Sequence, residues 1–412
     1  MNNKGSLALA MLLILVFTVL DAAILVSSAN ETWVAQRMTN STSSLWASEA
    51  GLQQALWQFN NNSCHGMVQS GTNTACTSCS VCGGGNKTYA GTLAGYGDYD
   101  VTLNNASTTL QSIGSIPSRT ASKLIQRRIQ ATIGSPQAFG NGIFAKGQVT
   151  LDNNALVNSF NSNNGPYGGA NILSNGNVGS NGTSVGIVTI DNNATVDGNV
   201  GTGAGGTVTL GNNAVVSGTI SNNVSVALPA VVVPSSLTSL ASGGTYSLGN
   251  NGSGTINAGY YKYNSLSLSN NATLTINGNV DLYLTAASSL SLANNVTITI
   301  ANGASLKLYV DGVFSVSNNT TINMVSKLAS QFQVYSTYSG ANGVNVSNNG
   351  ALYAAVYAPL TDVNLNNNTG FYGAAVGKTV TLANNGEVHY DQALATVANP
   401  FESAILSSWQ EY

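Results

Sequence analysis

The sequence is poor in charge and in the side chains that most enzymes use for acid–base chemistry. Only 7% of its 412 residues are charged, against about 25% in an ordinary soluble domain. The 12 basic residues are outnumbered by 15 acidic ones, so there is no basic surface for a nucleic-acid backbone. There are only two histidines. The composition therefore argues against nucleic-acid binding and against most enzymes, and we expect a protein without a metal, a cofactor or enzymatic activity.

The N-terminus carries a long apolar run from Ser6 to Val26, interrupted only by Asp21. At about 1.5 Å per residue, a helix of this length crosses the hydrocarbon core of a bilayer. No small-x-small cleavage site follows directly, which favours a retained helix over a secretory signal. The helical pattern then continues without proline to residue 60 and becomes amphipathic. We expect one helix over 6–60, anchored in the inner membrane, with the rest of the chain exported.

Two short motifs on this helix resemble the N-terminus of PilX-type minor pilins, which belong to type IV pilus assembly systems. The motifs are Lys4-Gly5 followed by residues 6–9 (SLAL), and residues 48–56 (SEAGLQQAL). The resemblance implies that a prepilin peptidase cleaves between Gly5 and Ser6, and that the mature helix packs with other pilin subunits. Major pilins carry Glu at the fifth mature position, where this chain has Ala10, so the resemblance favours a minor subunit.

Two acidic residues of this helix are candidate assembly residues. Asp21 places a carboxylate inside an apolar helix, which is costly in lipid unless the group finds a partner. It lies near the headgroups or becomes neutral, or it pairs with the N-terminal amine or a basic side chain of another subunit. Glu49 lies in the second pilin-like motif and is the other candidate.

All four cysteines fall in one segment, at Cys64, Cys76, Cys79 and Cys82. In a cytosolic protein this spacing would suggest zinc, but an exported segment favours disulfides. Four cysteines allow three pairings, and the sequence does not choose among them. Residues 87–134 are expected to form a small sheet packed on the helix.

A repeat dominates the chain from residue 136 onward, with the pattern apolar-x-apolar-x-Asn-Asn. Alternation places Val, Leu and Ile on one face of a strand, and Asn-Asn tolerates the left-handed backbone of a turn. A recurrence every ~20 residues predicts a parallel β-solenoid, right-handed by the usual crossover rule, with stacked Asn amides at one corner. The predicted ladder residues are Asn192, Asn212, Asn270, Asn294, Asn318, Asn348, Asn367 and Asn384. The stretches 161–186 and 228–234 interrupt the repeat and are expected to be loops or excursions from it.

The last coils, over residues 354–391, resemble a C-terminal β-helical domain of PilX-type pilus proteins. They contain His389 and Asp391, which could suggest acid–base chemistry. No nucleophile with an activating neighbour accompanies them, so a structural role in closing the last coils is preferred.

Together these features predict an α+β, mainly β fold in five segments. They are a leader (1–5), a pilin-type helix (6–60), a cysteine-stapled loop with a small sheet (61–135), a solenoid (136–398) and a tail (399–412). The predicted function is that of a low-copy or tip pilin subunit that supports pilus assembly and presents an adhesive head at the cell surface, with carbohydrate as a possible ligand. The alternatives are a membrane-anchored β-helical adhesin outside any pilus, and a β-helical carbohydrate-active enzyme.

Overall fold

The computed structural model describes residues 3–60, 68–69, 86–104, 109–122, 124–134, 137–317, 319–347, 351–366, 370–397, 401 and 405–411. The chain is mainly β, with one long N-terminal helix and parallel sheets, which confirms these parts of the predicted fold class. It divides into two units. The first comprises residues 1–136 and 403–412, and the second comprises residues 137–402.

The N-terminal helix extends over Asn3–Asn60. Its apolar side chains between Met11 and Val26 are exposed on every side of the helix, and Leu25 is 69% exposed. Within the described residues, Met11–Trp57 has the length and apolar composition needed to cross a membrane. An apolar surface of this extent needs a cover in water, so this part of the helix calls for lipid or protein around it.

The second part of the helix packs on an antiparallel sheet of the first unit. The described strands, in sheet order, are Val68–Gln69, Lys87–Leu93, Gly97–Asn104, Thr109–Ile116, Ile125–Gly134 and Ile405–Glu411. Leu52 and Ala55 of the helix are buried against Val101, Leu110 and Ile129 of the sheet. The last strand comes from the segment predicted to be a tail, which instead completes the sheet beside residues 125–134.

Small residues allow the helix to approach this sheet closely. Ser44 and Gly51 are buried at the contact, and Ser44 Oγ donates a hydrogen bond to the Gly114 carbonyl oxygen at 2.9 Å. A methyl group at Gly114 would overlap the Ser44 carbonyl oxygen, so this strand position requires glycine.

The second unit is built from parallel strands. A seven-stranded sheet and a three-stranded sheet together hold ten strands, most of which carry the repeat pattern. Their bounds are Val149–Leu151, Val188–Ile190, Val208–Leu210, Thr245–Leu248, Ser265–Leu268, Leu290–Leu292, Phe314–Val316, Val344–Val346, Val363–Leu365 and Val380–Leu382. We call each strand with the chain that follows it a level, and name the level by the first residue of the strand.

A sixteen-stranded sheet forms the other side of these levels. Its strands are Ile143–Ala145, Leu156–Phe160, Val178–Ser180, Thr195–Val196, Val200–Gly201, Val215–Val216, Ile220–Ser221, Ser253–Tyr263, Thr273–Leu284, Val296–Ile300, Ser305–Val310, Thr320–Met324, Phe332–Ser336, Ala351–Ala358, Gly370–Gly377 and Glu387–Asp391. Short helical segments at Ser162–Asn164, Gly169–Asn171, Ser235–Thr238, Ala329–Gln331 and Gln392–Thr396 complete this unit. Between the sheets runs one apolar core, to which each level contributes the alternating Val, Leu and Ile side chains of its strands.

The levels do not stack in the order of the sequence. Along the stack they follow as 245, 265, 290, 314, 344, 363, 380, 149, 188 and 208. The chain therefore enters in the middle of the stack, builds three levels to one end, and crosses to the opposite end. From there it builds back until the 380 level docks in register on the 149 level, with Val380 beside Val149 and Leu382 beside Leu151.

The chain between the strands Ile220–Ser221 and Thr245–Leu248, which we call the crossing segment, covers a row of aromatic side chains on the outside of the stack. Tyr309, Tyr335 and Tyr357 lie on successive levels, and the Tyr309 and Tyr335 rings stack with centroids 5.2 Å apart. Val231 and Leu237 of the crossing segment are buried in the same cluster. The stretch 228–234, predicted as a loop or excursion, leaves the repeat but is packed down on the stack. Val231 is buried there, Leu228 and Val233 are half-buried, and Val232 faces solvent.

Candidate functional site

In seven of the Asn-Asn pairs of the repeat, the second residue turns the chain at a corner of the stack. Its φ angle is between 56° and 59° at Asn154, Asn193, Asn213, Asn251, Asn271, Asn295 and Asn385. Among residues other than glycine, asparagine tolerates this left-handed backbone best, because its short polar side chain bonds locally. This geometry explains why the pair recurs where a β-branched residue would be strained.

Side-chain amides at this corner bond from level to level. Asn192 Nδ2 donates to Asn153 Oδ1 at 3.2 Å, and Asn153 Nδ2 donates to Asn384 Oδ1 at 3.2 Å. Asn192 Oδ1 accepts from the Asn212 backbone N–H at 2.8 Å, and Asn270 Oδ1 accepts from that of Asn294 at 3.2 Å. The second asparagines form a parallel row, with Asn213 Nδ2 on Asn193 Oδ1, Asn271 Nδ2 on Asn251 Oδ1 and Asn295 Nδ2 on Asn271 Oδ1. Of the predicted ladder residues, Asn318, Asn348 and Asn367 lie outside the described residues.

His389 lies fully buried where the last level docks on the first level of this unit. Its Nδ1 is 2.7 Å from Asn158 Oδ1 and its Nε2 is 3.1 Å from Glu387 Oε2. The ring packs against both Tyr167 and Tyr372, with centroid distances of 3.9 and 4.6 Å and ring planes tilted by 31° and 38°. Burial lowers the pKa of His389, and the neighbouring Glu387 opposes this effect. A neutral ring carries one N–H, so it donates either through Nδ1 to Asn158 Oδ1 or through Nε2 to Glu387 Oε2.

Asp391 is buried close to His389 in the chain but bonds to different partners. Its Oδ1 accepts from the backbone N–H groups of Ser162 at 3.0 Å and Ala393 at 3.1 Å. These bonds tie the loop after residue 160 and the short helix Gln392–Thr396 to the last strand. His389 and Asp391 therefore both bond to residues of the level on which the last level docks. Among the described residues there is no group of three or more His, Cys, Asp and Glu side chains that could hold a metal ion.

The remaining predicted site residues lie on or near the N-terminal helix. Gly5 and Ser6 lie in its first turns. Asp21 is exposed on the apolar stretch, whereas Glu49 is half-buried beside the sheet of the first unit. Cys64, Cys76, Cys79 and Cys82 lie outside the described residues.

Sequence reasoning missed the partners of His389 and the second row of asparagines. Asn158 lies 231 positions before His389, and only the docking of the 380 level on the 149 level brings them together. The signal for the second row was present in the sequence, because the second Asn of each pair recurs as regularly as the first. The sequence pattern also left open which Asn of the pair takes the turn conformation.

Comparisons with known proteins give one family match and one structural likeness. A family model described as a domain of unknown function (DUF7305) matches residues 212–397, from the corner of the 208 level to the end of the 380 level. No curated protein matches the chain. The crystal structure of competence-associated pilin ComZ from Thermus thermophilus is similar at 13% identity, over 90% of this chain and 98% of that chain, with a TM-score of 0.23. A TM-score of this size does not establish a shared fold.

Proposed function

We propose that this protein is a structural pilin-like subunit of a type IV pilus system, of the PilX-type minor class. One observation carries the proposal: a single helix is apolar and exposed over residues 11–26, and then packs on an antiparallel sheet over its second part. The helix is thus both a membrane anchor and a surface that other apolar helices can cover. After cleavage between Gly5 and Ser6 by a prepilin peptidase, it exchanges lipid contacts for contacts with neighbouring pilin helices.

The second unit is the presented head in this proposal. We infer that its parallel sheets are the walls of a β-solenoid, right-handed by the crossover rule, because in-register pairing connects all ten levels. The head has almost twice as many residues as the first unit, so it would crowd a shaft in which every subunit carried it. A low-copy or tip position avoids this crowding. The rows of Thr, Ser and Asn on the outside of the strands are the surface offered for adhesion to carbohydrate or another ligand, and disulfides staple the cysteine segment.

Pilus incorporation is tested by shearing pili from the source cells and probing the pilus fraction for this chain. The wild-type protein should be present in the sheared fraction. Gly5→Val, which blocks the expected cleavage, should leave the uncut chain in the membrane fraction. Ala8→Val is the matched control: it adds similar apolar bulk beyond the cleavage site and should be processed and sheared normally. Equal amounts of Gly5→Val and wild-type chain in the sheared fraction would contradict the proposal.

Immunogold labelling separates a tip position from a shaft position. The proposal expects label at filament ends or at rare points, whereas label spread evenly along pili would refute the tip position. A chain that stays uncut in the membrane and still mediates surface binding would support the anchored adhesin instead.

A further inference from the structure

Both ends of the parallel stack are open, and their edges are complementary. One end is the 208 level and the other is the 245 level. We propose that the two ends are docking surfaces for each other, so that the 245 level of a second copy stacks in register on the 208 level of the first. This interaction between heads is additional to the proposed packing of the N-terminal helices.

The 208 level exposes apolar residues that are buried at the same positions inside the stack. Leu210 is 47% exposed, whereas Ile190 and Leu151, its partners on the next two levels, are fully buried. Val215 and Ile220 on the other strands of this level are 48% and 51% exposed. The core therefore ends at this level with apolar side chains facing solvent.

The 245 level ends the core at the opposite side with half-buried tyrosine and leucine side chains. Tyr246 and Leu248 pack on the core from the strand, and Tyr263 meets the Tyr246 ring with a centroid distance of 5.5 Å. Tyr260 of the same level is 59% exposed. This end is apolar and aromatic, and it suits a further apolar level above it.

Backbone hydrogen bonding gives the edges their complementarity. At the internal junction, the Asp152 N–H donates to the Leu382 carbonyl at 2.8 Å, and the Asn385 N–H donates to the Asn153 carbonyl at 3.0 Å. The same two bonds recur between other levels, for example from Ser269 to Leu248 and from Asn251 to Asn270. Where the corner is described, a level therefore offers the carbonyl of the last residue of its strand and the N–H of its second Asn.

At the two ends these groups have no backbone partner in the described chain. The 208 level presents the Leu210 carbonyl and the Asn213 N–H, and the 245 level presents the Gly249 N–H and the Asn250 carbonyl. Docking in the register of the internal junction lets the Gly249 N–H of one copy donate to the Leu210 carbonyl of the other. The Asn213 N–H then donates to the Asn250 carbonyl. The internal junction itself shows that two edges more than 200 residues apart in the sequence dock in this way.

The 208 end lacks the charges that normally protect an open sheet edge, and the 245 end carries one, Lys262, whose Nζ donates to the Thr238 carbonyl oxygen at 2.8 Å. Charged residues are absent from positions 198–261, which include the 208 level and most of the 245 level. Natural proteins usually place lysine or another charge at such an edge to block pairing. Both ends carry the sequence Leu-Gly-Asn-Asn, at 210–213 and 248–251.

A second copy is the occupant that fits these observations, because it brings the complementary edge with the same apolar and nearly uncharged character. The contact is heterologous: the 208 edge of one copy meets the 245 edge of the next. Such a contact leaves one edge of each kind unused, so longer oligomers can follow.

Cross-linking tests the register directly. Thr209 and Ser247 occupy the middle of their strands, and stacking would bring their Cα atoms to about 4.8 Å, within disulfide range. Full-length Thr209→Cys and Ser247→Cys proteins are mixed in detergent, oxidised and run without reductant. The mixture should give a covalent dimer that neither variant gives alone, against the same background of native cysteines. A dimer from Thr209→Cys alone would overturn the head-to-tail arrangement.

A glycine variant supplies the matched test of self-association. The position of a Cβ at Gly249 has no atom within 4 Å, so Gly249→Lys should leave the single chain folded. In the stack the lysine would bring a positive charge to the docked edge, and a charge at a sheet edge blocks strand pairing. Gly140→Lys, at another exposed glycine, is the control. Wild type and Gly140→Lys should gain mass with concentration in sedimentation, and Gly249→Lys should not. A wild-type chain that stays monomeric throughout and gives no cross-link would overturn the proposal, whether or not the protein enters pili.

Discussion

Replacing the turn asparagine Asn193 separates the two roles that this residue type has at the corner. Its φ is 57°, its backbone N–H donates to the Asn212 carbonyl at 2.9 Å, and its Oδ1 accepts from Asn213 Nδ2 at 3.2 Å. Asn193→Ala keeps the backbone bond but loses the amide bond and forces alanine into the left-handed region. The backbone strain costs about 1 kcal/mol and the exposed amide bond about 0.5 kcal/mol, so we expect a total of about 1.5 kcal/mol.

Two companion variants separate these contributions. Asn193→Gly loses the amide bond but accepts the left-handed backbone, so it should cost about 1 kcal/mol less than Asn193→Ala. Asn192→Ala removes amide contacts to Asn153 and Asn212 at a position without positive φ, so it reports the loss of the ladder alone.

Hydrogen exchange followed by mass spectrometry is the suitable assay, because stacked repeats open locally and each peptide reports its own level. All four tryptophans lie in the first unit, so tryptophan fluorescence would not report on this corner. The 188 level should open most readily in Asn193→Ala. If Asn193→Gly destabilises the level as much as Asn193→Ala does, the account of the turn is wrong.

Three further predictions concern other contacts. Gly114→Ala should destabilise the first unit by about 1–3 kcal/mol, because the added methyl overlaps the Ser44 carbonyl; an unchanged thermal midpoint by tryptophan fluorescence would refute this. Burial and then the charge of Asp191 raise the pKa of Asp152, so stability that is present at low pH is lost as the pH rises through that pKa. In urea unfolding, Asp152→Asn should therefore increase the free energy of unfolding by a few tenths of a kcal/mol at pH 7 but not at pH 3. Burial lowers the pKa of His389 from its usual 6.5, so the folded state is destabilised when the pH drops below about 6.5. Hydrogen-exchange protection of the 380 level should fall in that range, and His389→Gln should flatten this pH dependence.

The elements that could be predicted from the sequence are those set by local patterns. The long apolar run and the absence of proline from this part of the sequence predicted the long helix, which extends over Asn3–Asn60. Alternation within Val149-Thr150-Leu151 and its copies predicted strands with one buried face, and those strands pair in parallel.

The arrangement of the levels could not be predicted, because it depends on contacts distant in sequence. Every copy of the repeat has nearly the same edge, so the pattern does not indicate that Val380 lies beside Val149 and not at the end of the stack. The covered row of tyrosines was missed for the same reason, since Tyr335 and Tyr357 become neighbours only after stacking. The strand Ile405–Glu411 depends on a return to the sheet of the first unit, which no local signal marks.

The central claim is that this chain is processed and assembled as a pilin. The most direct measurement is the N-terminal sequence and intact mass of the mature protein, purified from the envelope of its source. The account predicts a chain beginning at Ser6, with a mass four hydrogens below that of the reduced chain, as expected for two disulfides among Cys64, Cys76, Cys79 and Cys82. A chain that retains Met1, or one cut beyond Val26, would contradict the pilin assignment.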